Sequence, residues 1–219
     1  MLKCGTMLLA GALAGLGATA NAAVIVSLGA TEPSANVEAS LTNSTNTPTG
    51  FSWRNLPTSK RDLGQSFLAT SAFTMDVMSF KLSGNIQTGS PGADFTIELF
   101  ESTTQSSIGS SISTQSATFP NFTGGSGDWL SFDIDDIAVT SGKYYTFVLA
   151  WDSPATSRSI NLSVVTGSEY AGGNVWEDTG SGLNASNLDV FFIVQSVVPE
   201  PGSLALCGTG GLLIFRRKR

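Results

Sequence analysis

The chain of 219 residues contains no histidine and only two cysteines, Cys4 and Cys207. Without histidine, Ser-His-Asp and Cys-His nucleophile systems and the usual zinc sites are excluded. Both cysteines lie in terminal segments that we expect to be removed, so no disulfide can crosslink the rest of the chain. Its stability must therefore come from core packing, with bound Ca²⁺ as a candidate contribution.

Basic residues are scarce in the central part of the chain. Of the 11 lysines and arginines, Lys3 and a C-terminal cluster account for five, and of the 17 acidic residues only Glu200 lies outside residues 23–197. This segment therefore has six cations, sixteen carboxylates and a net charge of −10. A domain this acidic repels polyanions, so we exclude nucleic acid as a partner.

The first 22 residues have the three parts of a secretory signal peptide. Lys3 supplies the positive charge, residues 7–18 form a short apolar run, and Ala20 and Ala22 supply the small side chains that signal peptidase requires. We expect cleavage after Ala22. Signal peptidase is thus the first expected partner, and an uncleaved N-terminal anchor is the alternative.

The last segment, residues 198–219, has three features in a fixed order. A proline motif comes first and consists of Val198, Pro199, Glu200 and Pro201. An uncharged and largely apolar run follows it. The chain then ends in a basic cluster that consists of Arg216, Arg217, Lys218 and Arg219. The prolines fix φ and remove two N–H donors, so we expect the motif to be exposed to a processing enzyme. The apolar run can enter a bilayer, whereas the cations would be held at its anionic cytoplasmic face.

This tail resembles the PEP-CTERM sorting signal of exported bacterial proteins. The resemblance implies recognition, cleavage and transfer by an exosortase-type membrane enzyme, usually in bacteria that make an extracellular polysaccharide matrix. It also implies a short hydrophobic sorting helix and transient retention in the membrane. An uncut stop-transfer anchor is the alternative, but the 14 residues from 202 to 215 are fewer than the ~17–25 that usually span a bilayer.

Residues 23–197 contain no long segment with helical periodicity. Short runs rich in Val, Ile, Phe, Thr and Tyr recur between clusters of Gly, Ser, Asn, Pro and Asp, which predicts an all-β fold. Residues 29–50 predict a long loop or a weak edge. The candidate strands cover residues 23–28, 51–53, 63–69, 73–82, 94–101, 116–119, 129–139, 143–151, 160–165, 174–177 and 188–198. This many strands without crossover helices favour a two-sheet, jelly-roll-like sandwich.

The alternation of side chains predicts three details. In residues 143–151 both faces are apolar, which indicates a central strand. In residues 129–139 the large apolar side chains occupy even positions up to Ile134 and odd positions from Ile137, so we predict a β-bulge at Asp135 and Asp136. A similar shift predicts a second irregularity near Val77 and Met78.

Segments such as Leu63-Gly64-Gln65-Ser66-Phe67 and Gly142-Lys143-Tyr144-Tyr145 are similar to the exported β-sandwich modules called choice-of-anchor domains. That similarity implies a sandwich fold and attachment through a sorting signal. It implies no particular biochemical activity.

Carboxylates form the candidate metal and catalytic groups. Asp128, Asp133, Asp135 and Asp136 are the densest acidic cluster, and oxygen ligands near a bulge suit Ca²⁺, with a solvated acidic face as the alternative. Two carboxylates could also hydrolyse a glycosidic bond. The candidate pairs, Glu98 with Glu101 and Asp133 with Asp135, are not distinguished from ordinary polar residues of strands.

Trp176 and Trp129 are candidate platforms on which a sugar ring could stack. Trp176 has polar neighbours in residues 172–178, which makes it the better surface candidate, whereas Trp151 shares a face with Leu149 and belongs in the core. Core packing is the alternative for both candidates.

These observations predict a signal peptide at 1–22, an extracellular sandwich at 23–197 and a sorting signal at 198–219. We expect a non-catalytic protein of the cell envelope, cell surface or extracellular matrix, sorted through its tail and associated with extracellular polysaccharide. No catalytic residue is assigned, and no cofactor other than the candidate Ca²⁺. The alternative is a carboxylate-dependent glycan hydrolase or a carbohydrate-binding module.

Overall fold

The computed structural model describes residues 23–87, 90–122, 124–152 and 157–197. Within them the chain forms fourteen strands and no helix, arranged as two antiparallel sheets packed face to face. The predicted all-β, two-sheet sandwich is therefore confirmed. The predicted signal peptide, the proline motif and the sorting helix lie outside the described residues. No helix long and apolar enough to cross a bilayer occurs in the described ranges.

The strands in chain order are β1 Ile25–Gly29, β2 Val37–Leu41, β3 Thr49–Leu56, β4 Ser59–Leu68, β5 Phe73–Lys81, β6 Asp94–Ser102, β7 Ser110–Thr118, β8 Trp129–Val139, β9 Tyr144–Trp151, β10 Arg158–Thr166, β11 Val175–Asp178, β12 Asn184–Ser186, β13 Leu188–Val190 and β14 Phe192–Ser196.

The first sheet has the order β1-β8-β5-β14-β2. The second has the order β13-β10-β3-β4-β9-β6-β7, and the β11–β12 hairpin also pairs with β4. Strand β5 pairs with β8 in the first sheet, and β6 pairs with β7 in the second. The chain thus crosses between the sheets from β5 to β6 and returns from β7 to β8, which is the jelly-roll arrangement.

An aromatic cluster fills the space between the sheets. Trp53 of β3 stacks on Trp151 of β9 and meets the rings of Phe95, Phe119 and Phe132 edge-on. Strand β9 lies between β4 and β6, as expected of a central strand, and most of its side chains are buried. Burial of this apolar surface drives the packing of the two sheets, since the sandwich has no disulfide in the described residues.

Strands β5 and β8 share one irregularity. Met75 lies opposite Ile137 and Val77 lies opposite Asp133, so Asp76 alone faces residues 134–136. The predicted bulge at Asp135 and Asp136 is confirmed, and the irregularity predicted near Val77 is the same feature on the partner strand. The extra residues allow even positions before the bulge and odd positions after it to point into the core.

The segment predicted as a long loop or a weak edge contains the edge strand β2, which pairs with β14, so the weak-edge alternative holds there. The single strand predicted at 188–198 is wrong: it is interrupted at Phe191, which separates β13 in the second sheet from β14 in the first. Phe191 donates its N–H to the Ser163 carbonyl and accepts a hydrogen bond from the Lys81 N–H, which joins the two sheets. Strand β12 was not predicted.

Strand β1 begins and β14 ends at the same end of the first sheet. Ile25 lies opposite Asp133, Asp133 opposite Val77, and Val77 opposite Gln195. We call this end, defined by these four residues, the C-terminal pole. The opposite pole is defined by the row Gly29, Trp129 and Lys81. It lies on the order of 13 Å from the C-terminal pole, measured along the strands.

Candidate binding cleft

A cleft of about 860 Å³ opens at the opposite pole. The described residues that line it belong to the segments after β5 and before β8. Its volume lies within the range of ~300–1,000 Å³ that is typical of ligand sites. The lining residues are Asn85, Ile86, Gln87, Pro91, Gly92, Asn121, Phe122, Gly124, Gly125 and Asp128.

Backbone hydrogen bonds fix the base of both segments. The Leu82 N–H donates to the Asp128 carbonyl at 2.7 Å, and the Gly127 N–H donates back to the Leu82 carbonyl at 2.8 Å. The first segment is also tied to β10, because the Gln87 N–H donates to the Ser159 carbonyl at 3.1 Å. Further along, the Gly92 N–H donates to the Phe119 carbonyl at 2.7 Å. These hydrogen bonds therefore fix the base of the cleft to the neighbouring strands.

Glycines shape the second segment. A Cβ atom at Gly124 would overlap the end of the Leu28 side chain of β1, so a larger residue there would require Leu28 to move. Gly127 has φ of +96°, a conformation that L side chains rarely adopt. The turn between them is closed by Asp128, whose Oδ2 accepts a hydrogen bond from the Gly125 N–H at 2.9 Å.

The lining combines three amides with three apolar side chains, Ile86, Pro91 and Phe122. The amides of Asn85, Gln87 and Asn121 have no hydrogen-bond partner within the described ranges. Phe122 and Ile86 are half-buried and pack against the core. Because an amide both donates and accepts hydrogen bonds, this lining suits a ligand that carries many hydroxyl groups and an apolar face.

The Phe122 ring is continuous with the aromatic core. It meets Phe119 edge-on, with 5.8 Å between the ring centroids and 84° between the planes. Phe119 in turn contacts Trp53 and Trp151. The apolar wall of the cleft is thus supported by the most buried side chains of the sandwich.

The four aspartates proposed as a Ca²⁺ site do not form one. No group of acidic, histidine or cysteine side chains suited to a metal occurs among the described residues. Asp128 closes the turn at the cleft, and the Asp135 N–H donates to Gln115 Oε1 of β7 at 2.9 Å. Asp133 and Asp136 instead lie near Asp76 of β5 at the bulge.

Mutual repulsion acts within this bulge cluster of Asp76, Asp133 and Asp136. Burial and then the charge of Asp136 raise the pKa of Asp133. Burial and then the charges of Asp133 and Asp136 raise the pKa of Asp76. The cluster is a source of electrostatic strain at neutral pH.

Trp176 and Trp129 do not provide sugar-stacking platforms. Trp176 is only 4% exposed and Trp129 only 2% exposed. The prediction for Trp176 is wrong because β11 pairs with β4, where Trp176 lies opposite Gly64. Trp129 is covered in part by Lys81, whose Nζ lies 5.7 Å from the ring centroid.

The carboxylate pairs considered for hydrolysis lie outside the cleft. Glu98 and Glu101 are both on β6, and Glu101 Oε2 accepts a hydrogen bond from the Tyr145 hydroxyl at 2.9 Å. Asp133 and Asp135 are on β8 at the bulge. Asp128 is the one charged side chain among the described residues that line the cleft.

The most buried carboxylate, Asp189, is held by backbone donors. Its Oδ2 accepts a hydrogen bond from the Tyr170 N–H at 2.9 Å, and burial raises its pKa. The neighbouring Gln65 accepts a hydrogen bond from the Val190 N–H at 2.9 Å through Oε1. These buried polar groups join β4, β13 and the loop after β10, and we assign them a structural role.

The cleft was not predicted from the sequence. Its residues come from two loops about forty positions apart, each rich in Asn, Gly and Pro, and such loops carry no periodic signal. No protein-family model matches the chain, and no curated protein matches its sequence. The residues predicted for sorting and cleavage lie outside the described ranges.

Proposed function

We propose that this chain is an exported, non-catalytic protein of the cell surface or extracellular matrix. In this proposal an exosortase-type system sorts it through the C-terminal tail, and its sandwich associates with extracellular polysaccharide. Residues Val198 to Pro201 are the processing motif, and the four terminal cations hold the tail in the membrane during sorting. Signal peptidase removes the first 22 residues.

The observation that supports this proposal most directly is the placement of the cleft relative to the C-terminal strand. Strand β14 ends at Ser196, at the C-terminal pole, and the cleft opens at the opposite pole. A sandwich attached through the residues that follow Val197 would therefore direct its cleft away from the attachment point. That orientation suits a protein that holds a polymer outside the cell.

Replacing the proline motif in the native host tests the sorting step. The variant Pro199→Ala, Glu200→Ala, Pro201→Ala should stay in the membrane fraction, whereas the unaltered protein should reach the surface or the medium. A matched control exists in the exposed loop between β1 and β2, where Glu32→Ala, Pro33→Ala changes a second Glu-Pro pair. This control should sort normally. Normal sorting of the tail variant would overturn the proposal.

A further inference from the structure

We propose that the cleft at the opposite pole binds an uncharged sugar unit of a polysaccharide. The inference depends on the proposed surface role only for the claim that such a polymer is the physiological partner. It assigns a ligand class to a cleft whose side-chain amides make no hydrogen bond with the described residues.

Three side-chain amides of the cleft are suited to bind sugar hydroxyl groups. Asn85, Gln87 and Asn121 line one opening, and their side chains have no hydrogen-bond partner in the described parts of the chain. Each amide offers an oxygen that accepts and an NH₂ group that donates. Neighbouring hydroxyl groups of a sugar ring both donate and accept, so amides that line one cleft can bind them.

The apolar wall of the cleft is suited to pack against a sugar ring. A sugar ring has a face of C–H groups that packs against an aromatic ring, and Phe122 is the aromatic side chain of this cleft. Its orientation is fixed by Phe119, which is fully buried. A ring that is already held in place loses little conformational entropy when a ligand binds.

The charge of the cleft favours an uncharged ligand. Among the described lining residues there is no lysine or arginine, and Asp128 is acidic. The surrounding sandwich carries a net charge of −10. Because like charges repel, this cleft should disfavour uronic-acid or sulfated polymers and prefer neutral ones.

Affinity electrophoresis of the full chain tests the inference. The protein is kept in a detergent without a sugar headgroup and run through gels that contain dextran, galactomannan, xyloglucan or the acidic polymer alginate. We expect retardation by at least one neutral polymer and none by alginate. Single variants Gln87→Ala and Asn121→Ala should each weaken the interaction about three- to tenfold, the effect of one lost hydrogen bond.

Asn187→Ala is the matched control. Asn187 is an exposed amide before β13, and β13 pairs with the end of β10 that lies farthest from Ser159 and the cleft. This variant should bind as the unaltered chain does. The thermal midpoints of all three variants should equal that of the unaltered chain, because their amides support no other described residue.

The possible results test sugar binding at the cleft separately from the proposed sorting of the protein. No retardation in any neutral polymer, or retardation in alginate alone, would overturn the inference. Retardation that the cleft variants leave unchanged would also overturn it, because the sugar would then bind elsewhere. None of these results would affect the sorting experiment, which follows the location of the protein and requires no binding.

Discussion

The indole rings of Trp53 and Trp151 are stacked, with 4.1 Å between their centroids and 10° between their planes. Both side chains are almost completely buried. They join β3 and β9 of the second sheet to Phe132 of the first and to Phe119, which supports the cleft. This pair is therefore the centre of the core and the support of the proposed binding wall.

Truncation of one indole should be severely destabilising. Trp53→Ala removes a large buried side chain and leaves a cavity beside Trp151, so we expect a loss of about 3–5 kcal/mol in the free energy of unfolding. Trp53→Phe keeps a ring and should lose clearly less. Urea denaturation followed by tryptophan fluorescence measures both. Equal stability of the two variants would contradict the role assigned to the stack.

The Tyr145 hydroxyl should stabilise the β8–β9 connection. It accepts a hydrogen bond from the Thr140 N–H at 2.8 Å and donates one to Glu101 Oε2. Tyr145→Phe leaves the Thr140 N–H without this acceptor, so we expect a loss of about 1–2 kcal/mol. The neighbouring variant Tyr144→Phe is the control and should change stability by less than about 0.5 kcal/mol. Urea denaturation of the two variants should show this difference. Equal stability of the two variants would contradict the stabilising role assigned to the Tyr145 hydroxyl.

Strand β8 shows what the sequence could predict. Its bounds and its bulge follow from the positions of large apolar side chains, because the core accepts them from one face only. The burial of Trp176 could not be predicted from the sequence. Its neighbours are polar, and the partner that buries it, β4, is more than a hundred positions away. Strand β12 has no large apolar residue, so its pairing with β11 could not be read from periodicity.

The bulge cluster should make stability depend on acid pH. The raised pKa values of Asp76 and Asp133 mean that the folded state holds these protons more tightly than the unfolded state does. Near neutral pH the charged cluster therefore destabilises the fold. This penalty shrinks as pH falls through the raised pKa values and is gone below about 4, where the unfolded carboxylates are protonated as well.

Asp133→Asn should accordingly raise the free energy of unfolding near neutral pH. The expected gain is a few tenths of a kcal/mol, because solvent screens these partly exposed charges. The gain should vanish at acid pH. Glu32→Gln removes one charge from an exposed loop and is the control. Denaturant unfolding at several pH values tests this, and a gain that persists in acid would contradict the electrostatic explanation.

Tyr170 should make the fold sensitive to alkali. Burial, and secondarily the charge of Asp189, raise the pKa of Tyr170 to about 12. Since an unfolded tyrosine ionises near pH 10, the stabilising contribution is complete below about pH 10 and is lost as pH rises to about 12. The loss over that interval is about 2–3 kcal/mol.

Tyr170→Phe retains the edge-on contact with Phe192, whose centroid lies 4.9 Å away. The variant should therefore lose less stability between about pH 10 and 12 than the unaltered chain does. Denaturant midpoints measured across this interval provide the test. Parallel curves for the two proteins would show that another group causes the alkaline loss.

The central claim is that a tail-sorted sandwich is exported, and intact mass measures this most directly. The protein is recovered from the envelope and from the culture medium of its native host. The account predicts a product that starts near Ala23 and ends near Pro199, with or without a covalent addition at its C-terminus. A product that retains Arg219 and occurs only in the membrane would contradict it.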